Sequence, residues 1–361
     1  MIHVFIGTKA QLIKMAPIMR ELQRKNIEYN FIFSGQHQET IHDLRANFGI
    51  KDPDIILHSG RDITGIIQMS MWMLKTLCKT LFSKKSLWNG DKNGIVLNHG
   101  DTFSTLLGSL LAKLHGHRCA HVESGLRSFD IFNPFPEELV RRVTFLLTDI
   151  YYCPNRTAIK NVGKHNGTKI LTNGNTLYDA LSTIKNQVAD PGLNIPDVPY
   201  AIASFHRFEN IFNNQNLEKV VDIISEAAQK IKVLIIAHKP TLIRLQKNNL
   251  LGKLEQHKNI ELRPRYDYKN FIKLVIDSDY VITDGGSNQE ECYYLGKPCL
   301  IIRSATERNE GLGSNAVLSN FDNNIINCFT KNYHQHINSE VTLSPSPTEI
   351  IVEDLIIQLH H

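Results

Sequence analysis

Across its 361 residues the chain has no apolar run long enough to cross a bilayer, so no membrane span is expected. It also has no dense block of lysine and arginine. The net charge of +4, with a pI near 8.6, suits a small anionic ligand and is too weak to argue for nucleic acid. No GxGxxG follows the first apolar run and no GxxxxGK[ST] occurs anywhere, so neither a dinucleotide fingerprint nor a P-loop is supported. The six cysteines (Cys78, Cys119, Cys153, Cys292, Cys299 and Cys328) form no CxxC and no zinc spacing. They read as reduced residues of a cytoplasmic protein, mostly in its core. No other His, Cys, Asp or Glu cluster has ligand spacing, so no metal is expected. The opening MIHVFIG enters a strand at once and leaves no room for a signal peptide.

What is present is globular: 42% hydrophobic and 21% charged residues. The length is generous for one core and favours two domains. Short apolar runs alternate with amphipathic segments such as 105–116. Strand candidates are 2–6, 29–33, 94–98, 118–122 and 149–153, then 200–204, 232–237, 260–263, 280–283 and 298–302. This β-then-α alternation predicts parallel strands with crossover helices. The turn-rich segment 186–199 reads as a linker or ordered loop. The fold class is α/β, two doubly wound domains facing a cleft. The expected division is 1–172 and 173–345, with a helix over 346–361 packing back on the body.

Ligands of open α/β sheets collect past the carboxyl ends of strands. There the chain carries His99, Gly100, Asp101 and Thr102, then Glu123 to Arg127, in its first half. In its second half it carries His206, Arg207, Glu209 and Asn210, then Asp284, Gly285, Gly286, Ser287 and Glu291. The GTKAQ turn after the first strand opens a helix where an anion can bind. Taken singly, a strand-end Asp or Ser is more simply a helix cap and a Gly pair a turn. Taken together they are harder to dismiss. In NPFPEELVRR (133–142), Glu137 and Glu138 open a helix running to about Thr148, where acids complement the helix dipole. The alternative is that one of them moves protons.

Through IKMAP (13–17), SGQH (34–37), HGDT (99–102), HVESGLRS (121–128), FPEE (135–138) with Arg141, GNT (174–176), HRFEN (206–210), QEE (289–291) with LGKP (295–298), and TER (306–308), the chain resembles the UDP-N-acetylglucosamine 2-epimerase family in its non-hydrolysing branch. The resemblance covers roughly residues 2 to 320. It implies a GT-B-like fold of two Rossmann-like domains, with nucleotide held mainly by the C-terminal one. It implies, without a cofactor, elimination of UDP across sugar carbons 1 and 2 and its re-addition to the opposite face, supplying surface-polysaccharide precursors. Asp101, Glu123 and Glu137 match the family's catalytic acids, and His206 its histidine near the diphosphate. Arg207 and the Gly285–Gly286–Ser287 turn match phosphate-binding positions, and Glu291 the acceptor of the ribose hydroxyls. Lys9, Lys14 and Arg141 join the substrate-binding set. Phe271 falls where the family places an aromatic against uracil, and it reads equally as helix core. Glu138 is left to the helix dipole. A UDP-sugar ligand and a homodimer are the expected partners.

Departures from the family pattern bear on the ligand. Gly-Thr-Arg-Pro-Glu becomes a turn with Lys9, Ala10 and Gln11, so a bidentate fork and a carboxylate are lost. Ser-Gly-Gly becomes Gly285-Gly286-Ser287, an Arg becomes Phe208, and an Asn becomes Val140. Each is expected to touch ligand binding more than the core. They leave open a GT-B glycosyltransferase, a hydrolysing epimerase or, least favoured, a non-catalytic sugar-nucleotide binder.

Overall fold

The structure, a computed structural model, describes residues 1–37, 41–60, 62–63, 65–81, 83–131, 135–306 and 308–360. Asn133 and Pro134 of the NPFPEE motif and Glu307 of TER lie outside the described residues. The chain forms two compact units: Met1–Thr183 with Leu343–His361, and Ile184–Thr342.

Unit 1 is built on β1 (Ile2–Ile6), β2 (Tyr29–Phe33), β3 (Ile55–Ile56), β4 (Ile95–His99), β5 (Arg118–Val122), β6 (Ile150–Cys153) and β7 (Thr168–Leu171). They make one parallel sheet in the order β3-β2-β1-β4-β5-β6-β7. Every residue of β1, β2 and β4 is buried, because crossover helices cover both faces of a parallel sheet. On one face Phe5, Ile32, Trp88, Val96, Leu107 and Leu111 form a common core. Gly7, just past β1, is a close-packing position: a Cβ there would stand 1.9 Å from Ser104 Oγ. The helix Pro347–Leu359 belongs to this unit, tied by Asp354 to the Tyr152 hydroxyl at 2.8 Å and by Gln358 to Arg118 at 3.0 Å.

Unit 2 repeats the plan with β8 (Tyr200–Ser204), β9 (Lys232–Ile236), β10 (Ile260–Arg263), β11 (Tyr280–Thr283), β12 (Cys299–Ile301) and β13 (Ala316–Leu318). The sheet is parallel, in the order β10-β9-β8-β11-β12-β13. Its core includes Phe205, Leu217, Val221, Ile235, Ile282 and Phe329.

All ten apolar runs are strands, with ends shifted by no more than one residue. The sequence reading omits β3, β7 and β13, each at a sheet edge. Edge strands are covered on fewer sides and need no apolar run: no residue of β7 is fully buried, and β3 is two residues long. In each unit the strand order reverses once, between β1 and β4 and between β8 and β11. Crevices at such reversals are where open α/β sheets bind ligands.

Candidate active site

In unit 1 the polar set gathers at the β1/β4 reversal. Glu123 follows β5 with φ of 61°, a left-handed backbone that costs a non-glycine residue about 1 kcal/mol or more. Lys14, from the helix Lys9–Arg24, places Nζ 2.8 and 3.0 Å from its two oxygens, and His99 Nε2 lies 3.0 Å from Oε2. All three side chains are buried or nearly so. Asp101, past β4, pairs with Arg141 of the helix Glu137–Leu147 at 2.5 Å. Burial works against the Arg141 charge, but Asp101, Glu123 and Glu138 around it raise its pKa overall. His121 fastens the turns beneath: Nε2 donates to Gly100 O at 2.7 Å and Nδ1 meets Ser124 Oγ at 2.9 Å. Burial lowers His121 to about 4, so it is neutral and acts as a strut. Glu137 is half-buried in the first turn of its helix, and Lys9 is half-buried at the start of its own.

Three readings need correction here. Glu138 is not a dipole partner at a solvated helix start. Its side chain is fully buried, accepts from Arg127 Nε and from Ser128 N (3.1 Å), and lies 3.5 Å from both Arg141 and Arg142. Burial opposes its charge, yet these donors lower its pKa. Gln11 is buried, at 1% exposure. Its Oε1 accepts from Gly7 N (2.9 Å) and Thr8 N (3.1 Å), and its Nε2 donates to His99 O (2.7 Å) and Thr105 Oγ1 (2.9 Å), closing a capping box with Thr8. Val140 is also core, at 3% exposure. Two of the family departures therefore belong to packing.

In unit 2 the set gathers at the β8/β11 reversal. Buried Asp284, past β11, accepts from His206 N (3.0 Å), Arg207 N (2.9 Å) and Asn210 Nδ2 (2.9 Å), folding HRFEN over the strand end. His206 stacks on His238, ring centroids 4.9 Å apart. Desolvation lowers its pKa, Asp284 opposes that, and Arg207 and Arg265 reinforce it. Gly285 caps the helix Gly286–Leu295, its N donating to Thr283 Oγ1 at 3.0 Å, and Ser287 is exposed in the first turn. Glu291 is buried and accepts from Asn288 Nδ2 at 2.8 Å. The buried Tyr268 phenol feels the Glu291 charge: burial, followed by that charge, pushes its pKa far up. Glu290 pairs with Arg308 at 2.7 Å. Phe271 is half-buried on the helix Tyr268–Asp277, outside that helix's buried residues. Phe208 is exposed and stacked on Phe212 at 4.4 Å.

Sequence reasoning places Asp284 in the polar set past its strand but not its part in holding HRFEN, and it misses His121, Tyr268 and the true setting of Glu138. These depend on partners no local pattern reveals.

Among the described residues one group could hold a metal by proximity: His3, Asp91 and His117, with ligand atoms within 4.8 Å. It lies at the amino ends of β1, β4 and β5, away from the acids. His117 Nδ1 accepts from Gly94 N at 3.0 Å, and His3 Nδ1 from Asn30 Nδ2 at 3.0 Å, whose other hydrogen goes to Leu87 O. Both neutral rings therefore carry their proton on Nε2, the atom a metal would need. These residues do not fit a metal.

A family model described as UDP-N-acetylglucosamine 2-epimerase matches residues 20–342. A UDP-N-acetylglucosamine 2-epimerase from Methanococcus maripaludis is 33% identical, covering 91% of each chain. The crystal structure of UDP-GlcNAc 2-epimerase from Neisseria meningitidis, bound to UDP-GlcNAc, superposes with a TM-score of 0.83 at 28% identity and covers 99% of each chain. The glycosyltransferase SnogD from Streptomyces nogalater, 13% identical with a TM-score of 0.54 and 99% of each chain covered, shares the fold alone.

Proposed function

Because the chain belongs to the UDP-N-acetylglucosamine 2-epimerase family, we propose that it interconverts UDP-N-acetylglucosamine and UDP-N-acetylmannosamine in the synthesis of surface-polysaccharide precursors. The observation that carries the reading is the set of acids at the β1/β4 reversal, each held with a cation: Glu123 with Lys14, Asp101 with Arg141. The hydrogen on sugar carbon 2 is weakly acidic, so a positioned carboxylate must take it as the carbon 1–oxygen bond breaks. The bond's electron pair leaves on the UDP phosphate oxygen, giving a 1,2-unsaturated sugar and UDP. Re-addition of UDP to carbon 1 with return of a proton to the other face of carbon 2 gives the epimer. Asp101, Glu123 and Glu137 share these proton transfers. Lys14 and Arg141 orient the acids, and Lys9 offers charge to the leaving phosphates.

Unit 2 takes the nucleotide. Arg207, His206 and the Gly285–Gly286–Ser287 turn meet the diphosphate charge. Glu291, oriented by Asn288, accepts the ribose hydroxyls, and Phe271 packs on uracil. No metal or organic cofactor enters the chemistry. The test is proton NMR of UDP-N-acetylglucosamine incubated with the protein in deuterated water. Deuterium at carbon 2 with UDP retained is the expected result. Free N-acetylmannosamine with UDP would identify a hydrolysing enzyme, and an inert sugar would overturn the reading.

The enzyme works as a cytoplasmic homodimer. Supporting the location, none of its six cysteines is in a disulfide. Among the described residues no helix is long and apolar enough to cross a membrane. Supporting the dimer, the helix Ile66–Leu81 exposes Ile67, Met71, Leu74, Cys78 and Leu81. Their spacing of four and three residues is that of a helix-pairing seam. Leu74→Glu should turn a dimer into a monomer by light scattering; a monomeric parent protein refutes the proposal.

A further inference from the structure

We propose that Glu138 is a positioning residue of the epimerase reaction: it holds Arg141 in place against Asp101 and fixes the turn that carries Arg127. The inference rests on the epimerase reading and adds a residue to it. Glu138 and Glu137 are adjacent in a first helical turn, yet their surroundings differ in kind. Glu138 is fully buried and meets three arginines and a backbone N–H. A buried carboxylate in such company is a fixed anion, with no proton to give. Its reach is what matters. Oε2 lies 3.5 Å from Arg141 Nη1, while Arg141 Nη2 lies 2.5 Å from Asp101 Oδ2. The guanidinium is thus held from two sides, one by an acid of the reacting set and one by an acid outside it. Arg127 and Ser128, on the loop after β5, are drawn to the same carboxylate, so one side chain ties that loop to the helix Glu137–Leu147.

Without the Glu138 charge, Arg141 answers to Asp101 and Glu123 alone. The field over the reacting set, which Lys14 and Arg141 already make positive, then grows more positive, and that displaces the acidic limb of the pH–rate profile downward. The guanidinium also loses its second anchor, and small misplacements of catalytic groups cost about 100-fold in rate.

The experiment compares Glu138→Gln and Glu138→Asp with the parent protein, full length. It reads folded fraction by circular dichroism, UDP affinity by calorimetry, and the pH dependence of deuterium exchange at carbon 2. Expected for Glu138→Gln are UDP affinity within about 2-fold of the parent, a kcat loss of about 10- to 100-fold and an acidic limb moved to lower pH. Glu138→Asp keeps the charge but shortens the reach, so it should lose less and keep the parent's limb. A Gln variant with the parent's rate and limb overturns the proposal, as does a rate loss that only tracks loss of folded protein. If the Gln variant does not fold, the Asp variant decides: a parent-like rate refutes the positioning role. A parent protein inert toward the sugar overturns the epimerase reading instead. The Arg141–Asp101 contact in crystals of Glu138→Asp then judges the positioning role alone: an unmoved Arg141 overturns it, a displaced one supports it.

Discussion

The Lys14 ammonium meets both oxygens of Glu123, at 2.8 and 3.0 Å, joining two residues 109 positions apart in the chain. Both side chains are about 95% buried. Lys14→Met removes the ammonium that meets both oxygens of this buried carboxylate. Breaking a buried pair from one side typically costs about 3–5 kcal/mol. The midpoint of urea unfolding at neutral pH should fall accordingly, and an unchanged midpoint would show the pair to be solvated.

Glu137→Gln tests chemistry apart from binding. Loss of an acid–base group should cut carbon-2 deuterium exchange by about 100-fold or more. Glu137 has no part in the proposed nucleotide contacts, so UDP affinity should stay put. Exchange at the parent rate would return Glu137 to the role of a helix-start acid.

Tyr268→Phe removes a buried hydroxyl that interacts with the Glu291 charge. Losing one polar contact of about 0.5–1.5 kcal/mol should weaken UDP affinity by roughly 2- to 10-fold while kcat at saturation holds. Equal loss in kcat would place Tyr268 nearer the reacting carbons.

Gln11→Glu restores the residue usual in the family and should nonetheless destabilise this chain. A carboxylate can accept from Gly7 N and Thr8 N but cannot donate to His99 O and Thr105 Oγ1. His99 O keeps Thr105 Oγ1 as a donor and Thr105 Oγ1 keeps Thr102 N, so the change loses two hydrogen bonds, at about 0.5–1.5 kcal/mol each. Thermal unfolding decides: a melting temperature at or above the parent's contradicts the account.

Acid should weaken the fold before it titrates the carboxylates. Burial holds His3 at about 4, with Asp91 opposing and His117 reinforcing, and holds His121 at about 4. An unfolded histidine titrates near 6.5, so between about 6.5 and 4 the unfolded chain binds protons that the native one refuses. Stability is full above that window and falls as pH drops through it. Urea midpoints at pH 7.5, 6 and 4.5 should decline in order, less steeply in His3→Gln. A flat series would mean that these rings are hydrated.

Much of this fold could be read from the chain because buried parallel strands are apolar runs, as in IHVFI and YAIAS. The edges could not: Thr168–Leu171 is half-exposed and has no run to notice. The acids at the strand ends were legible by position and by motif. Glu138 was not, because burial of a helix-start acid depends on Arg127, eleven residues upstream on a loop. Gln11 misled for the same reason. Its side-chain partners lie 88 and 94 residues away, so a change of residue type looked like a change of ligand when it concerned a cap.

Unit 1 is discontinuous: the chain leaves it after Thr183 and returns at Leu343 to add the helix Pro347–Leu359. Asp179 waits for Thr348, which it meets at 2.8 Å, and Tyr152 for Asp354, 202 positions later. During synthesis, then, the second unit emerges whole while the first still lacks its last helix. The earlier-made sheet must persist unfinished through the translation of everything inserted in it. A chain stopped at Thr342 carries one complete unit and one still open. The half that is made first is therefore the last to be completed.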